Sequence, residues 1–441
     1  MALIFEASSG GSLQGTVRVP GDKSISHRSI MLGALADGLT EVSGFLEGED
    51  TLATLHAFQS MGVRVERPAG YGVLHIHGVG MQGLREPSEP LDLGNSGTSM
   101  RLMTGLLVGQ AFDTVLVGDP SLSQRPMRRV IDPLAQMGAL IEASATGTAP
   151  LRVRGGHALR GIAYRLPMAS AQVKSALLLA GLYAAGRTTL TEPASTRDHT
   201  ERMLMGFGYD LEQHGSSVSL TGGGRLRATR IDIPGDLSSA AFFLVGASIA
   251  PGSDLLIEHV GINPTRTGIL HILKAMGANI QIMNERIVGG ESVADLRVRH
   301  APLHGIAIPP EWVPLAIDEF PALFIAAACA EGDTTLIGAA ELRVKESDRI
   351  QTMADGLRAV GVDATPTPDG MVIRGGAGSG GMHGAEIDSH GDHRIAMAFA
   401  IAALRARDTV RIVDCANVNT SFPGFVTLAS RAGLSIRAFT A

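Results

Sequence analysis

Val17–Gly38 reads VRVPGDKSISHRSIMLGALADG, and Ile231–Gly252 reads IDIPGDLSSAAFFLVGASIAPG. Both pass from a short alternating stretch through Pro-Gly-Asp into an apolar run that opens on serine or beside it and stops at glycine. That order predicts strand, turn and helix. Four looser versions of the plan are LDLGNSGTSMRLMTGLLVG from Leu91, YRLPMASAQVKSALLLAGL from Tyr164, LAIDEFPALFIAAACAEG from Leu315 and DSHGDHRIAMAFAIAAL from Asp388. The anchors Asp22, Asn95, Ala169, Asp236, Asp318 and Asp392 lie 73, 74, 67, 82 and 74 residues apart. Spacing this regular indicates one supersecondary unit used six times.

A second pattern runs out of phase with the first: an amphipathic helix, a glycine, then a short alternating strand. LHAFQSMGVRVE and HILKAMGANIQI are examples, and the six glycines are Gly62, Gly138, Gly208, Gly277, Gly361 and Gly433. Apolar residues three and four apart give the helix face, and the glycine suits the left-handed cap that follows it. The first and fourth copies are the most alike, so the chain reads as an α/β protein in two halves of three units. The expected division is a discontinuous domain of 1–21 and 235–441 and a second domain of 22–234, with crossovers at the two Pro-Gly-Asp turns. An open solenoid fits less well, because the polar insertions differ between copies and no terminal caps stand out.

Composition narrows the function. Lys and Arg number 37 against 43 Asp and Glu, and aromatics are only 4%; neither balance suits a nucleic-acid binder, which needs positive charge and stacking platforms. Two distant cysteines, Cys329 and Cys415, form no disulfide framework and fit a reducing cytoplasm. MALIFEASSG has no basic, apolar leader character, and the longest uncharged stretch is broken by Gly246, Pro251 and Gly252, so no signal peptide or membrane span is expected.

The chemistry gathers at the helix starts. A first turn offers unpaired N–H groups and the positive end of the dipole, which together favour an anion. The first copy adds Lys23, Ser24 and Arg28. The second adds Asn95, Gly97, Thr98, Ser99 and Arg101, and the third Ser170, Gln172 and Lys174. The fifth supplies the acids Asp318 and Glu319, and the sixth Asp392, His393 and Arg394. SLSQRPMRR contributes Arg125; RDHTE contributes Arg197; LRVKESDR contributes Lys345, Glu346 and Arg349, with Lys345 and Arg349 four apart as if on one helix face. Taken singly, each is better explained as an N-cap, a turn or a solvated ion pair. Matched groups at the same place in several units are the signal. They suit a pair of substrates carrying phosphates and carboxylates. No HExxH or paired CxxC is present, so no metal is expected.

GDKSISHR, GNSGTSMR, QRPMRR, MASAQVKSA, RDHTERM, IDEFP, LRVKESDR and GDHRIAM, in this order, resemble the 5-enolpyruvylshikimate-3-phosphate (EPSP) synthase family across essentially the whole chain. MASAQVKSA and LRVKESDR resemble the subgroup called class II. The resemblance implies the enolpyruvyl transferase fold, an inside-out α/β barrel of two similar domains, each of three βαβαββ repeats, with the active site in the cleft between them. It implies transfer of the enolpyruvyl group of phosphoenolpyruvate to the 5-hydroxyl of shikimate 3-phosphate, with no metal or organic cofactor. By motif, shikimate 3-phosphate is expected to contact Lys23, Ser24, Arg28, Ser170, Gln172, Arg197, Asp318 and Lys345. Phosphoenolpyruvate is expected to contact Lys23, Asn95, Gly97, Arg125, Gln172, Glu346, Arg349 and Arg394. Asp318, Glu346 and Lys23 are the catalytic candidates. The resemblance further implies a cytoplasmic monomer, with glyphosate bound in the phosphoenolpyruvate site and neither nucleic acid nor membrane as partner.

Three positions depart from the family's patterns. Thr420, in NTSFPGF, stands where class I members carry a lysine. Leu102 replaces a frequent proline, and Gly97 stands where a known tolerant class II pattern has alanine. The related UDP-N-acetylglucosamine enolpyruvyl transferase is the nearest rival, but neither cysteine lies in a segment like its mobile loop. A non-catalytic phosphate sensor is a rival of another class. It gains nothing from acids such as Asp318 and Glu346 among the cations.

Overall fold

Residues 3–376 and 382–440 are described by the computed structural model, and among them twelve α-helices form. They are α1 (Lys23–Leu35), α2 (Glu49–Ser60), α3 (Gly97–Leu107), α4 (Arg128–Gln136), α5 (Ala171–Gly181), α6 (His199–Gly206), α7 (Leu237–Ile249), α8 (Gly268–Ala275), α9 (Phe320–Cys329), α10 (Arg349–Ala359), α11 (His393–Ala402) and α12 (Phe425–Ala432). The odd-numbered helices are the apolar runs of the first pattern. All thirteen residues of α7 are buried, as are Ile25–Leu35 of α1 and Val173–Gly181 of α5. A helix apolar on all sides has nowhere to go but the interior. The even-numbered helices are amphipathic; α4 buries only Val130, Pro133 and Leu134. The glycine that closes each even-numbered helix has a positive φ, from +78° at Gly208 to +116° at Gly433, where a side chain would be strained.

Strands cover these helices as six small sheets. The second repeat shows the plan: Leu91–Asp92 runs parallel to Thr114–Val117, which pairs antiparallel with Leu151–Arg154, which pairs antiparallel with Leu140–Glu142. This is a βαβαββ unit with its last two strands transposed in the sheet. In the fifth repeat the first strand is reduced to isolated bridges, among them Ala307 with Thr335.

The chain divides into two compact units. One comprises Met1–Pro20, Pro234–Ile287 and Ser292–Ala441; the other comprises Gly21–Ile233 and Val288–Glu291. In the first, α7, α9 and α11 pack together in one apolar core; in the second, α1, α3 and α5 pack together in another. At both Pro-Gly-Asp turns the strand before the turn and the helix after it lie in different units. The strand before each Pro-Gly-Asp turn does not belong to the sheet of the helix after it. Gln14–Val17 pairs in parallel with Asp254–Gly261, and Arg230–Asp232 pairs in parallel with Ala36–Ser43. Each turn therefore takes the chain from a strand of one unit into the first helix of the other. The backbone is crowded there: a Cβ on Gly21 would overlap the Gly44 carbonyl oxygen, and one on Gly235 would lie 2.9 Å from Val19 Cγ2. The sixth sheet is completed by the N-terminal strand Leu3–Ala7, set between Val410–Val413 and Ile436–Thr440. No helix among the described residues is long and apolar enough to cross a membrane.

Candidate active site

In the unit built on α1, α3 and α5, the helix starts carry most of the candidate cations. Asp22 caps α1 by accepting the Ile25 N–H at 2.9 Å. Lys23, the first helical residue, pairs with Asp50. Arg28 is one turn further on and 4% exposed. It donates from Nη1 to the Ser24 carbonyl oxygen (2.9 Å), from Nε to Thr200 Oγ1 (2.7 Å) and from Nη2 to Ser175 Oγ (2.8 Å). Burial lowers its pKa to about 10 against the raising influence of Glu201 and Asp22, so it stays cationic at neutral pH with hydroxyls and a carbonyl as hydrogen-bond partners.

The α3 start is organised around Gly97. A Cβ there would lie 2.7 Å from Arg101 Nη1 and 2.9 Å from Arg125 Nη1, so two guanidinium groups converge on a bare Cα. Arg125 donates to Asn95 Oδ1 at 2.7 Å, and Asn95 donates to Asp119 Oδ2 at 2.7 Å. Arg101 donates to Gln172 Oε1 at 2.8 Å, and Gln172 donates onward to Thr98 Oγ1 at 3.1 Å. Ser170 caps α5 through the Val173 N–H. Arg197 is half-buried and close enough to Arg28 for the two charges to oppose each other. Lys174 does not join this anion-facing group. It is 2% exposed, bonded to Glu192 at 2.8 Å and Glu201 at 2.7 Å; its position in SAQVKSA turns it inward, away from the α5 start.

In the other unit the acids gather on one buried arginine. Arg349, 1% exposed, lies 2.8 Å from Asp392 Oδ2, 2.6 Å from Glu346 Oε2 and 3.4 Å from Asp318 Oδ1. Lys345 is also 3.4 Å from Asp318 Oδ1 and bonds Glu341 at 3.0 Å. Burial opposes charge on Arg349, but Asp392, Glu346 and Asp318 outweigh it and raise its pKa. Burial likewise works to raise the Asp392 carboxyl, and Arg349 overrides it and holds it below the usual range. Lys345 and Arg349 do not share a helix face as their spacing suggests. Asp348 caps α10, so the helix begins only at Arg349, and Lys345 ends the preceding 3₁₀ turn, Ala340–Val344. Both still reach Asp318. Arg394 lies in the first turn of α11, half-buried, and its backbone N–H donates to the capping Asp392 Oδ1 at 2.9 Å. Thr420 is 5% exposed and donates to the Asn417 carbonyl oxygen at 2.7 Å, so its hydroxyl is used in its own turn. No group of three or more His, Cys, Asp or Glu among the described residues is placed to hold a metal ion.

A family model described as EPSP synthase (3-phosphoshikimate 1-carboxyvinyltransferase) matches residues 8–428. The chain belongs to the EPSP synthase family. Relatives named 3-phosphoshikimate 1-carboxyvinyltransferase from Methylococcus capsulatus and Alkalilimnicola ehrlichii are 66% and 67% identical, across 98% of this chain and 98% and 96% of theirs. An EPSP synthase structure from Acinetobacter baumannii is 57% identical, with a TM-score of 0.89 over the whole of both chains. The enolpyruvyl transferase NikO from Streptomyces tendae, 18% identical over 100% of this chain and 99% of its own, shares the fold with a TM-score of 0.80. The two-unit α/β architecture is thus the enolpyruvyl transferase fold, and the relatives point to the EPSP synthase branch rather than to the UDP-N-acetylglucosamine branch.

Within this EPSP synthase family member, the structure adds residues that sequence reasoning did not single out. Ser175 and Thr200 look like filler inside helices, yet they hold the Arg28 guanidinium. Asp119 orients Asn95, and Asp50 pairs with Lys23 from the first turn of α2. Ser175 lies within MASAQVKSA and Thr200 within RDHTERM, whereas Asp50 and Asp119 lie in none of the motifs that carried a sequence signal.

Proposed function

We propose that this enzyme transfers the enolpyruvyl group of phosphoenolpyruvate to the 5-hydroxyl of shikimate 3-phosphate. The products are phosphate and 5-enolpyruvylshikimate 3-phosphate, on the route to chorismate and the aromatic amino acids. The observation that carries the reading is the division of chemistry between the two units. One holds Arg28 on hydroxyls and sets Arg101 and Arg125 over Gly97; the other sets Asp318 and Glu346 on Arg349. Lys23, Ser24, Arg28, Ser170, Gln172, Arg197, Asp318 and Lys345 bind shikimate 3-phosphate. Lys23, Asn95, Gly97, Arg125, Gln172, Glu346, Arg349 and Arg394 bind phosphoenolpyruvate. Guanidinium groups grip carboxylate and phosphate in pairs of parallel bonds and fix the reactants in line.

The reaction asks for three proton movements. Asp318 takes the 5-hydroxyl proton as that oxygen attacks C2 of phosphoenolpyruvate. The methylene carbon C3 gains a proton and becomes a methyl group, giving a tetrahedral adduct. Loss of a methyl proton and of phosphate then restores the double bond. Glu346 and Lys23 serve C3 and the departing phosphate.

Phosphate release from the purified protein tests the reading. Release is expected only with phosphoenolpyruvate and shikimate 3-phosphate together. Release with UDP-N-acetylglucosamine in place of shikimate 3-phosphate would assign the other acceptor. Glyphosate is proposed to occupy the phosphoenolpyruvate site and to inhibit competitively with it; uncompetitive or absent inhibition at millimolar concentration would refute this. The two free cysteines suit a reducing cytoplasm, and a monomer is expected by sedimentation.

A further inference from the structure

Arg197 sits on a short connection between the strand Arg187–Thr191 and helix α6. Both ends of that connection are acidic and buried: the side chain of Glu192, just after the strand, is 9% exposed, and that of Glu201, in the first turn of α6, is 2% exposed. One ammonium group joins them. Lys174 Nζ reaches Glu192 Oε2 at 2.8 Å and Glu201 Oε1 at 2.7 Å from the end of the first turn of α5, a helix buried from Val173 onward. The residue before Arg197 is held as well, since Thr196 donates to the remaining oxygen of Glu192. On the far side, Thr200 donates to Ser175 of α5 at 2.7 Å while accepting from Arg28. The loop is therefore tied to α5 at its start and its end. Burial alone would strip the charge from Lys174, but Glu201 and Glu192 outweigh it and its pKa is raised.

We propose that Lys174 is a positioning residue for Arg197, clamping the two ends of its loop so that the guanidinium is fixed where the phosphate of shikimate 3-phosphate binds. This rests on the acceptor assignment made above. A buried ion triad can also serve the fold alone, and charge removal then costs stability without touching the ligand. The two roles separate in a double-mutant cycle, because a residue acting through Arg197 has nothing left to position once Arg197 is gone.

The experiment uses the full-length protein as wild type, Lys174→Met, Arg197→Ala and the double variant, titrated calorimetrically with shikimate 3-phosphate. Lys174→Met is expected to weaken binding about 10- to 100-fold, the scale of a misplaced binding group. The KM for phosphoenolpyruvate at saturating acceptor should change about twofold or less. In the Arg197→Ala background, Lys174→Met should add about twofold or less. Lys174→Met binding at wild-type affinity, or adding its full penalty in that background, overturns the proposal. Should Lys174→Met not fold, Glu192→Gln, which keeps the Lys174–Glu201 pair, replaces it: a smaller loss that vanishes without Arg197 is expected, and an undiminished one is again fatal. Wild-type protein that fails to bind shikimate 3-phosphate removes the acceptor assignment itself, an outcome distinct from a variant that binds as wild type does.

Discussion

The starts of α1 and α7 are the same motif used in opposite ways. Asp22 and Asp236 follow identical Pro-Gly pairs, and each caps its helix by accepting a backbone N–H at 2.9 Å. At α7 the nearby cation is enclosed by acids. Arg266, 3% exposed, bonds Asp236 at 2.9 Å and Ser238 at 2.6 Å; it lies 3.8 Å from Glu319, which Ser238 also bonds. At α1 the buried cation, Arg28, is held by Ser175, Thr200 and a carbonyl. Neutral donors and acceptors fix a guanidinium without cancelling its charge, whereas carboxylates cancel it. A helix start thus becomes an anion site when its cation is held by hydroxyls, and a structural joint when it is held by acids.

The joint should break hardest. Arg266→Met leaves two buried carboxylates without their cation, a loss of about 3–5 kcal/mol. In a unit of this size that is a fall in melting temperature of roughly 10 °C, and adding Asp236→Asn and Glu319→Gln should restore part of it. A melting temperature within a degree or two of wild type would mean that the acids are satisfied in another way and the contrast with α1 is false.

Arg28→Met should do the reverse. It strands two hydroxyls and a carbonyl but no carboxylate, so stability should fall by about 1–3 kcal/mol at most. Shikimate 3-phosphate affinity should drop about 100-fold or more, the worth of a charge-assisted, two-pronged contact. Loss of stability as large as that of Arg266→Met, with affinity within threefold of wild type, would erase the distinction between the two helix starts.

The α3 start sharpens the comparison, since there the cations converge on a glycine. Gly97→Ala puts a methyl group against the flexible ends of Arg101 and Arg125 and against no backbone atom. The fold should hold while the site narrows. Glyphosate, the longer ligand, should lose about 10- to 100-fold in inhibition, the scale set by a misfit methyl, with a smaller rise in the KM for phosphoenolpyruvate. Equal losses for both ligands in steady-state kinetics would show that the methyl displaces the guanidinium groups outright instead of blocking the extra length.

Much of this was legible before any coordinates. The six apolar runs became six buried helices and the six glycines six left-handed caps, because both depend on local patterns. Sheet membership was not legible. The alternation in VRV and IDI identifies strands but not partners, and both strands pair across the chain's crossovers. The central place of Leu3–Ala7 in the sixth sheet had no signal at all. At the site, Arg28 and Asp318 could be named from their motifs, but the inward turn of Lys174 could not. Its direction follows from Glu192 and Glu201, 18 and 27 residues away. The spacing of Lys345 and Arg349 misled for the opposite reason: Asp348 is a good cap and delays the helix past Lys345.

The smallest effect is also the most direct report on unspent charge. His27 is fully buried on α1, 2.8 Å from Thr54 Oγ1, and the equivalent position on α7 is Ala241. Burial, then the charges of Lys23 and Arg28, hold its pKa well below 6.5. The folded protein therefore refuses a proton that the unfolded chain accepts. Stability from this group is complete above pH ~6.5 and is lost as the pH falls below it, by no more than about 1.4 kcal/mol per pH unit. Urea midpoints measured between pH 7.5 and 5.5, a window above the usual carboxylate range, should fall in the wild type and fall less in His27→Gln. In Arg28→Met the decline should begin at the same pH but level off sooner and be smaller overall, because removing the guanidinium lets the folded imidazole take its proton nearer pH ~6.5. Parallel slopes in all three proteins would mean that the positive field at α1 is already cancelled, and the two helix starts would then differ in shape alone.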